Sequence, residues 1–215
     1  MCALKTPGND PLHKVTIMPR GRALGMAVTL PEEDRHNLTR QQLLARLVMG
    51  YGGRVAEELT FGHDNVTTGA QADIQMVTGL ARRYVSQWGL SEAIGPVLVG
   101  ENDQEVFLGR ELMHRREVSE KTAQLVDAEV SRLLTDAYQR ARTTLTESAD
   151  LLKRMAEALL ERETLNGEEI DILVKGETLP PPRAAAPIGA AGTPAAAAAK
   201  AAKPTLLGGP EVAPA

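Results

Sequence analysis

The sequence predicts a mainly α fold: a helical bundle with a small β-hairpin or sheet near the N-terminus and a disordered C-terminal tail. Three observations carry this. Apolar residues recur at helical spacing from Thr39 to Leu90, and again from Ser119 to Val174. Two short stretches, HKVTIM from His13 and ALGMAVTL from Ala23, have the β-branched, alternating character of strands. From Pro180 onward the chain is Ala-, Pro- and Gly-rich, with almost nothing to build a core. Residues 1–178 are therefore expected to form one domain and 179–215 a tail without fixed structure.

Composition narrows the class. The chain has 215 residues, 43% of them hydrophobic and 24% charged, which suits one soluble domain plus a tail. Aromatics are only 3%, so aliphatic side chains must fill the core. The net charge of -4 gives no reason to expect a nucleic-acid partner. Cys2 is the only cysteine, so neither an internal disulfide nor a Cys-type zinc site can form, and a reducing compartment fits. No stretch has the apolar length of a membrane span or the pattern of a signal peptide, so this chain alone is expected to be soluble.

In order, Met1 to Pro11 reads as irregular, with PGNDP marking a turn. His13 to Met18 and Ala23 to Leu30 read as a hairpin around Pro19 to Arg22. Gly21 and Gly25 would let another backbone approach, so an extended peptide could add at this edge; an ordinary small sheet covering the helices is the plainer reading. Thr39 and Gln42 form a capping-box pattern, followed by the apolar face Leu43, Leu44, Leu47, Val48, Tyr51 and Val55. Gly52 and Gly53 interrupt this helix and imply a close contact or a kink. Glu57 and Glu58 end it, with Arg54 placed to pair with Glu58.

The next helix is expected from Thr68, capped with Gln71, to about Trp88. Its apolar arc holds Met76, Val77, Leu80, Ala81, Tyr84, Val85 and Trp88. After it comes a Gly-rich loop with a short strand at Val97 to Val99. Ser119 caps a long helix to about Leu145, a second runs from Ser148 to about Arg162, and NGEE from Asn166 opens a third ending near Val174. Their apolar faces include Leu125, Val126, Val130 and Leu133 on the first, and Leu151, Leu152, Met155, Leu159 and Leu160 on the second. Short links between antiparallel helices give the bundle.

One carboxylate is out of pattern. Asp73 is in phase with Val77, Leu80 and Tyr84, where a charge is costly unless a cation or hydrogen-bond donors meet it. A metal ion is one such partner. The plain alternative is an acidic residue in a first helical turn, where the helix dipole favours it.

Other chemistry is sparse. The histidines His13, His36, His63 and His114 never stand three or four apart, so no HExxH zinc motif exists in the chain. No phosphate-cradling G-x-x-x-x-G-K-[ST] loop and no G-x-S-x-G nucleophile elbow occur. Each histidine reads as a loop or surface residue, and His63, in FGHDN, is the one placed to make a structural hydrogen bond.

Six segments together carry a family resemblance: DPLHKVTIMPRGRALG, YGGRVAEELTFG, TTGAQADI, ARRYVSQWGLSEAIGP, VFLGRE and SEKTAQLVDAEV. From about Asp10 to Val174 the chain resembles the C-terminal peptidase part of the FtsH family of ATP-dependent zinc metalloproteases. One small departure is Ala72, where relatives often carry Asn before the Asp.

The resemblance implies a helical peptidase domain that works as a homo-hexamer beneath an AAA+ ATPase ring. It implies protein substrates, membrane and soluble, bound as extended peptides at the cytoplasmic side of the bacterial inner membrane. In this family two histidines of an HExxH helix and one distant aspartate hold zinc, with the HExxH glutamate as general base. Asp73 then matches the distant ligand. Glu57 matches an acidic residue near the zinc site and is expected to orient a ligand histidine. Gly21, Arg22, Ala23, Leu24 and Gly25 match the strand to which substrate adds, and the helix after Ser119 matches the subunit-contact bundle.

The HExxH helix of the family lies just upstream of the segment matching MCALKTPGNDP. The chain is therefore expected to be a truncated product, a fragment or a chain with a misassigned start, with no catalytic residue of its own. Zinc follows by family with two ligands missing, and ATP enters only through an absent ATPase module. Two functions remain open: the incomplete peptidase part of such an enzyme, inactive alone, or a non-catalytic helical module that docks into intact hexamers.

Overall fold

A computed structural model describes residues 1–19, 21, 25–31, 37–99 and 118–181. Within these residues the chain is mainly helical, with one three-stranded sheet. The expected tail beyond Pro181, the segment 100–117, and His36 and His114 lie outside the described residues.

The bundle grows from α2 (Arg40–Gly50), α3 (Gly52–Phe61), α4 (Gln71–Ser86) and α5 (Glu120–Glu147). α2 starts on the capping box of Thr39 and Gln42, with both reciprocal hydrogen bonds present. Ser119 caps α5 by accepting from the Thr122 amide. Leu43, Leu47, Val48, Val55, Val77, Leu80, Ala81, Tyr84 and Val85 meet Val130, Leu133, Ala137, Ala141 and Leu145 in one buried cluster. α4 and α5 pack on each other and on α2, and α3 packs on α5.

A second cluster joins α6 (Ala149–Arg162) and α7 (Gly167–Lys175) to the sheet. It holds Leu151, Met155, Ala158, Leu165, Ile170 and Leu173. α7 opens on a capping box between Asn166 and Glu169. The sheet runs β2 (Met26–Thr29), β1 (Leu12–Thr16), β3 (Thr164–Asn166), antiparallel throughout, so among the described residues β2 is an edge. β1 and β2 register through Val15 opposite Ala27, with an irregularity between Leu12 and Lys14. Residues Met1–Pro180 form one unit by their contacts.

Several expectations are corrected. The N-terminus is not wholly irregular: α1 (Cys2–Lys5) is one helical turn, and Cys2 is buried against the main cluster. The helix from Thr39 is two helices, because Tyr51 (φ -82°, ψ -8°) breaks it just before the glycine pair. α3 passes Glu57 and Glu58 and ends at Phe61. Thr68 and Gln71 form no capping box; Thr67 caps a 3-10 turn, Thr68–Ala70, and α4 starts without a side-chain cap. Val97 to Val99 is not a strand; the Val99 amide instead donates to the Ser86 carbonyl at 2.8 Å.

Some apolar-face assignments also fail. Met76, Trp88, Leu125 and Leu160 are exposed, and Trp88 lies beyond the end of α4 at Ser86. β3 was not foreseen, because three residues carry no periodicity and the strand exists only through pairing with β1.

Candidate metal centre

The loop from α3 into α4 is assembled around Thr67. Gly62 (φ 81°, ψ 161°) ends α3 in a conformation that side-chain-bearing residues avoid. A 3-10 turn, His63–Asn65, follows. The Thr67 hydroxyl donates to Glu57 Oε1 at 2.8 Å and its amide donates to Glu57 Oε2 at 3.3 Å. The same hydroxyl accepts from the Gly69 amide at 3.1 Å. Both oxygens of Glu57 are thus occupied by one loop residue.

Asp73 sits in the first turn of α4, on the stripe continued by the buried Val77, Leu80 and Tyr84. Its carboxylate is exposed, because the stripe leaves the core at this end of the helix. The expected burial of the charge therefore does not occur. Its Oδ2 lies 4.0 Å from where a Cβ on Gly53 would stand. Gly53 and Glu57 are one helical turn apart, so Asp73 and Glu57 belong to the same side of α3. Among the described residues the Asp73 carboxylate takes no hydrogen bond and no ion pair.

Beneath this loop lies Glu58, whose pairing with Arg54 follows from their spacing but whose partners on α5 do not. The Glu58 side chain is only 7% exposed and has three partners. Arg54 Nε donates to Oε1 at 3.0 Å, the Tyr138 hydroxyl donates to Oε2, and Arg142 Nη1 lies 3.6 Å from Oε2. The Tyr138 hydrogen bond, with Arg54 beside it, holds the Glu58 carboxyl below the usual range. Burial raises the Tyr138 phenol in turn. The spacing of Arg54 and Glu58 predicted their pairing, but nothing local points to partners on α5. His63 is exposed in its turn.

The peptide-edge residues are only partly described. Gly21 lies in a turn at φ 62°. Gly25 precedes β2, which begins at Met26 rather than Ala23, and a Cβ there would stand 2.9 Å from the Thr16 carbonyl oxygen. Glycine is thus needed where this backbone crosses β1. Arg22, Ala23 and Leu24 lie outside the described residues.

A catalytic zinc site needs three protein ligands and an open position. Among the described residues no three His, Cys, Asp or Glu side chains converge. Asp73 fits as one oxygen donor, being exposed and unengaged. Glu57, with both oxygens engaged by Thr67, suits a place beside a metal rather than on it.

The family model for Peptidase family M41 matches residues 1–173. The chain belongs to this family. It is 50% identical over 181 residues to the ATP-dependent zinc metalloprotease FtsH of Caulobacter vibrioides, covering 84% of this chain and 29% of that protein. It is 50% identical over 177 residues to ATP-dependent zinc metalloprotease FtsH 3 of Symbiobacterium thermophilum, covering 82% and 28%. The FtsH of Myxococcus xanthus is 46% identical over 185 residues, covering 84% and 29%. This M41 chain thus spans under a third of the length of the relatives it matches. Among its described residues no helix is long and apolar enough to cross a membrane.

Proposed function

We propose that this chain is the C-terminal part of an FtsH-like, ATP-dependent zinc metalloendopeptidase, and that Asp73 is its zinc ligand. The observation that carries the reading is the Asp73 carboxylate itself: exposed, unengaged, and set on the side of α3 that also presents Glu57. The other two ligands, histidines of an HExxH helix, are not in this sequence. Glu57, gripped by Thr67, orients a histidine ligand from beside the metal. A zinc ion so held supplies Lewis acidity and a water of lowered pKa for peptide hydrolysis.

The position of β2, an edge among the described residues, supports the substrate reading, since such an edge can accept an extended protein segment as a further strand. Gly21 to Gly25 lead into that edge. The full assembly is read as a homo-hexamer with an AAA+ ATPase module, working on membrane and soluble proteins at the cytoplasmic face of the bacterial inner membrane. By itself the chain is inactive.

Two assays test this. The purified chain is expected not to cleave casein with or without added zinc; zinc-dependent cleavage would refute its inactivity alone. Asp→Asn at the position matching Asp73 in the intact Caulobacter relative is expected to abolish proteolysis and spare ATP hydrolysis. Retained proteolysis would remove Asp73 from the site. The second reading, a non-catalytic module docking into intact hexamers, draws on the fact that among the described residues no three His, Cys, Asp or Glu side chains could together hold a metal ion.

A further inference from the structure

We infer that Glu58 and Arg54 are positioning residues: together they clamp the α3–α4 loop at Thr67 and so fix where α4 presents Asp73. The catalytic consequence rests on the metal-ligand reading of Asp73, whereas the clamp stands on its own contacts.

The chain of contacts runs inward to outward. Tyr138 and Arg142 on α5 hold one oxygen of Glu58, and Arg54 Nε takes the other at 3.0 Å. Tyr138 is itself braced edge-on by Tyr51, with ring centroids 5.7 Å apart. Fixed by Glu58, Arg54 turns Nη1 to the Thr67 carbonyl at 3.4 Å. Glu57 takes the amide and hydroxyl of the same threonine. Side chains of α3 thus hold the carbonyl, amide and hydroxyl of one loop residue. From Thr67 the path to Asp73 is short: its hydroxyl accepts from Gly69, the 3-10 turn closes, and α4 begins.

An exposed i,i+4 pair would contribute little. This one differs because Glu58 is buried and anchored to a third element, so Arg54 has little rotational freedom left. Arginine is required, because its planar fork reaches two acceptors at once, whereas a lysine ammonium on a flexible stem does not hold both in place.

The test is amide exchange by NMR on the 215-residue chain carrying Arg54→Lys, and separately Glu58→Gln. Both are expected to speed exchange at Thr67 and Gly69 about tenfold, the size expected for losing one hydrogen bond to a charged group. Exchange at the buried Val77 and Ala141 stays at the parent rate. Unchanged loop amides would overturn the clamp. Equal acceleration in loop and core would also overturn it, by showing a general loss of stability. Arg54→Lys keeps the test available if Glu58→Gln fails to fold.

In the intact Caulobacter relative, the change matching Arg54→Lys is expected to lower kcat for proteolysis at unchanged KM and unchanged ATP hydrolysis. A rise in KM alone would overturn the positioning role. Failure of the zinc reading is distinguishable: it appears as proteolysis surviving the Asp73→Asn change, with the loop exchange result unaffected.

Discussion

Gly50 and Val77 meet so closely that a Cβ on Gly50 would lie 2.3 Å from Val77 Cγ1. The contact brings the end of α2 onto α4 within the main core, where Val77 is fully buried. Gly50→Ala gains helix propensity of roughly 0.5–1 kcal/mol, but it overpacks a site with no room. Overpacking costs about 1–3 kcal/mol, so the variant is expected to be net destabilised. Urea denaturation checks this; a variant as stable as the parent would show that α2 and α4 can separate freely here.

Two buried carboxylates set the acid limb of stability. Glu129 is held by Arg132, at 2.8 and 2.9 Å, and by the buried Ser91 hydroxyl at 2.9 Å. The Arg132 hydrogen bonds hold its carboxyl below the usual range, and Tyr138 does the same for Glu58. Both groups bind protons less readily in the folded chain than in the unfolded one. Their contribution is therefore full above the unfolded value of about 4.3 and is lost as pH falls through the lower native values. Melting temperature is expected to drop steadily below about pH 4.3, and Glu129→Gln should flatten that drop while lowering stability at pH 7. An acid limb identical in the variant would contradict the assignment.

Gly62 carries a backbone requirement of a different kind. At φ 81° and ψ 161° it occupies a region almost closed to residues with a Cβ, although the space around it is open. Gly62→Ala is expected to cost about 1–3 kcal/mol through strain alone. Denaturation of the variant measures it, and no loss would mean that α3 can end in another way.

The bundle was readable because its signals are local. Ser119, the Thr39–Gln42 pair and the NGEE box each cap a helix by contacts within four residues, and helical periodicity marks the faces that become buried. The sheet was only half readable. β3 is defined by Leu165 pairing with Val15, a partner remote in sequence. The break at Tyr51 was hinted at by Gly52 and Gly53, but the closest approach is at Gly50, which depends on where α4 lies.

Phase placed Asp73 on the stripe of Val77, Leu80 and Tyr84, and the structure keeps it there. Phase does not say where a stripe leaves the core, so its exposure was not legible. The engagement of Glu57 by Thr67 and of Glu58 by Tyr138 was equally hidden, since each joins separate elements.

The zinc content of the intact Caulobacter relative, per subunit and after dialysis against a weak chelator, tests the central claim most directly. It should be compared with the variant carrying Asp→Asn at the position matching Asp73. The account predicts near-stoichiometric zinc in the parent and loss of most of it in the variant, with ATP hydrolysis preserved. Stoichiometric zinc in both would contradict it, leaving Asp73 an acidic residue at a helix start and moving the third ligand elsewhere.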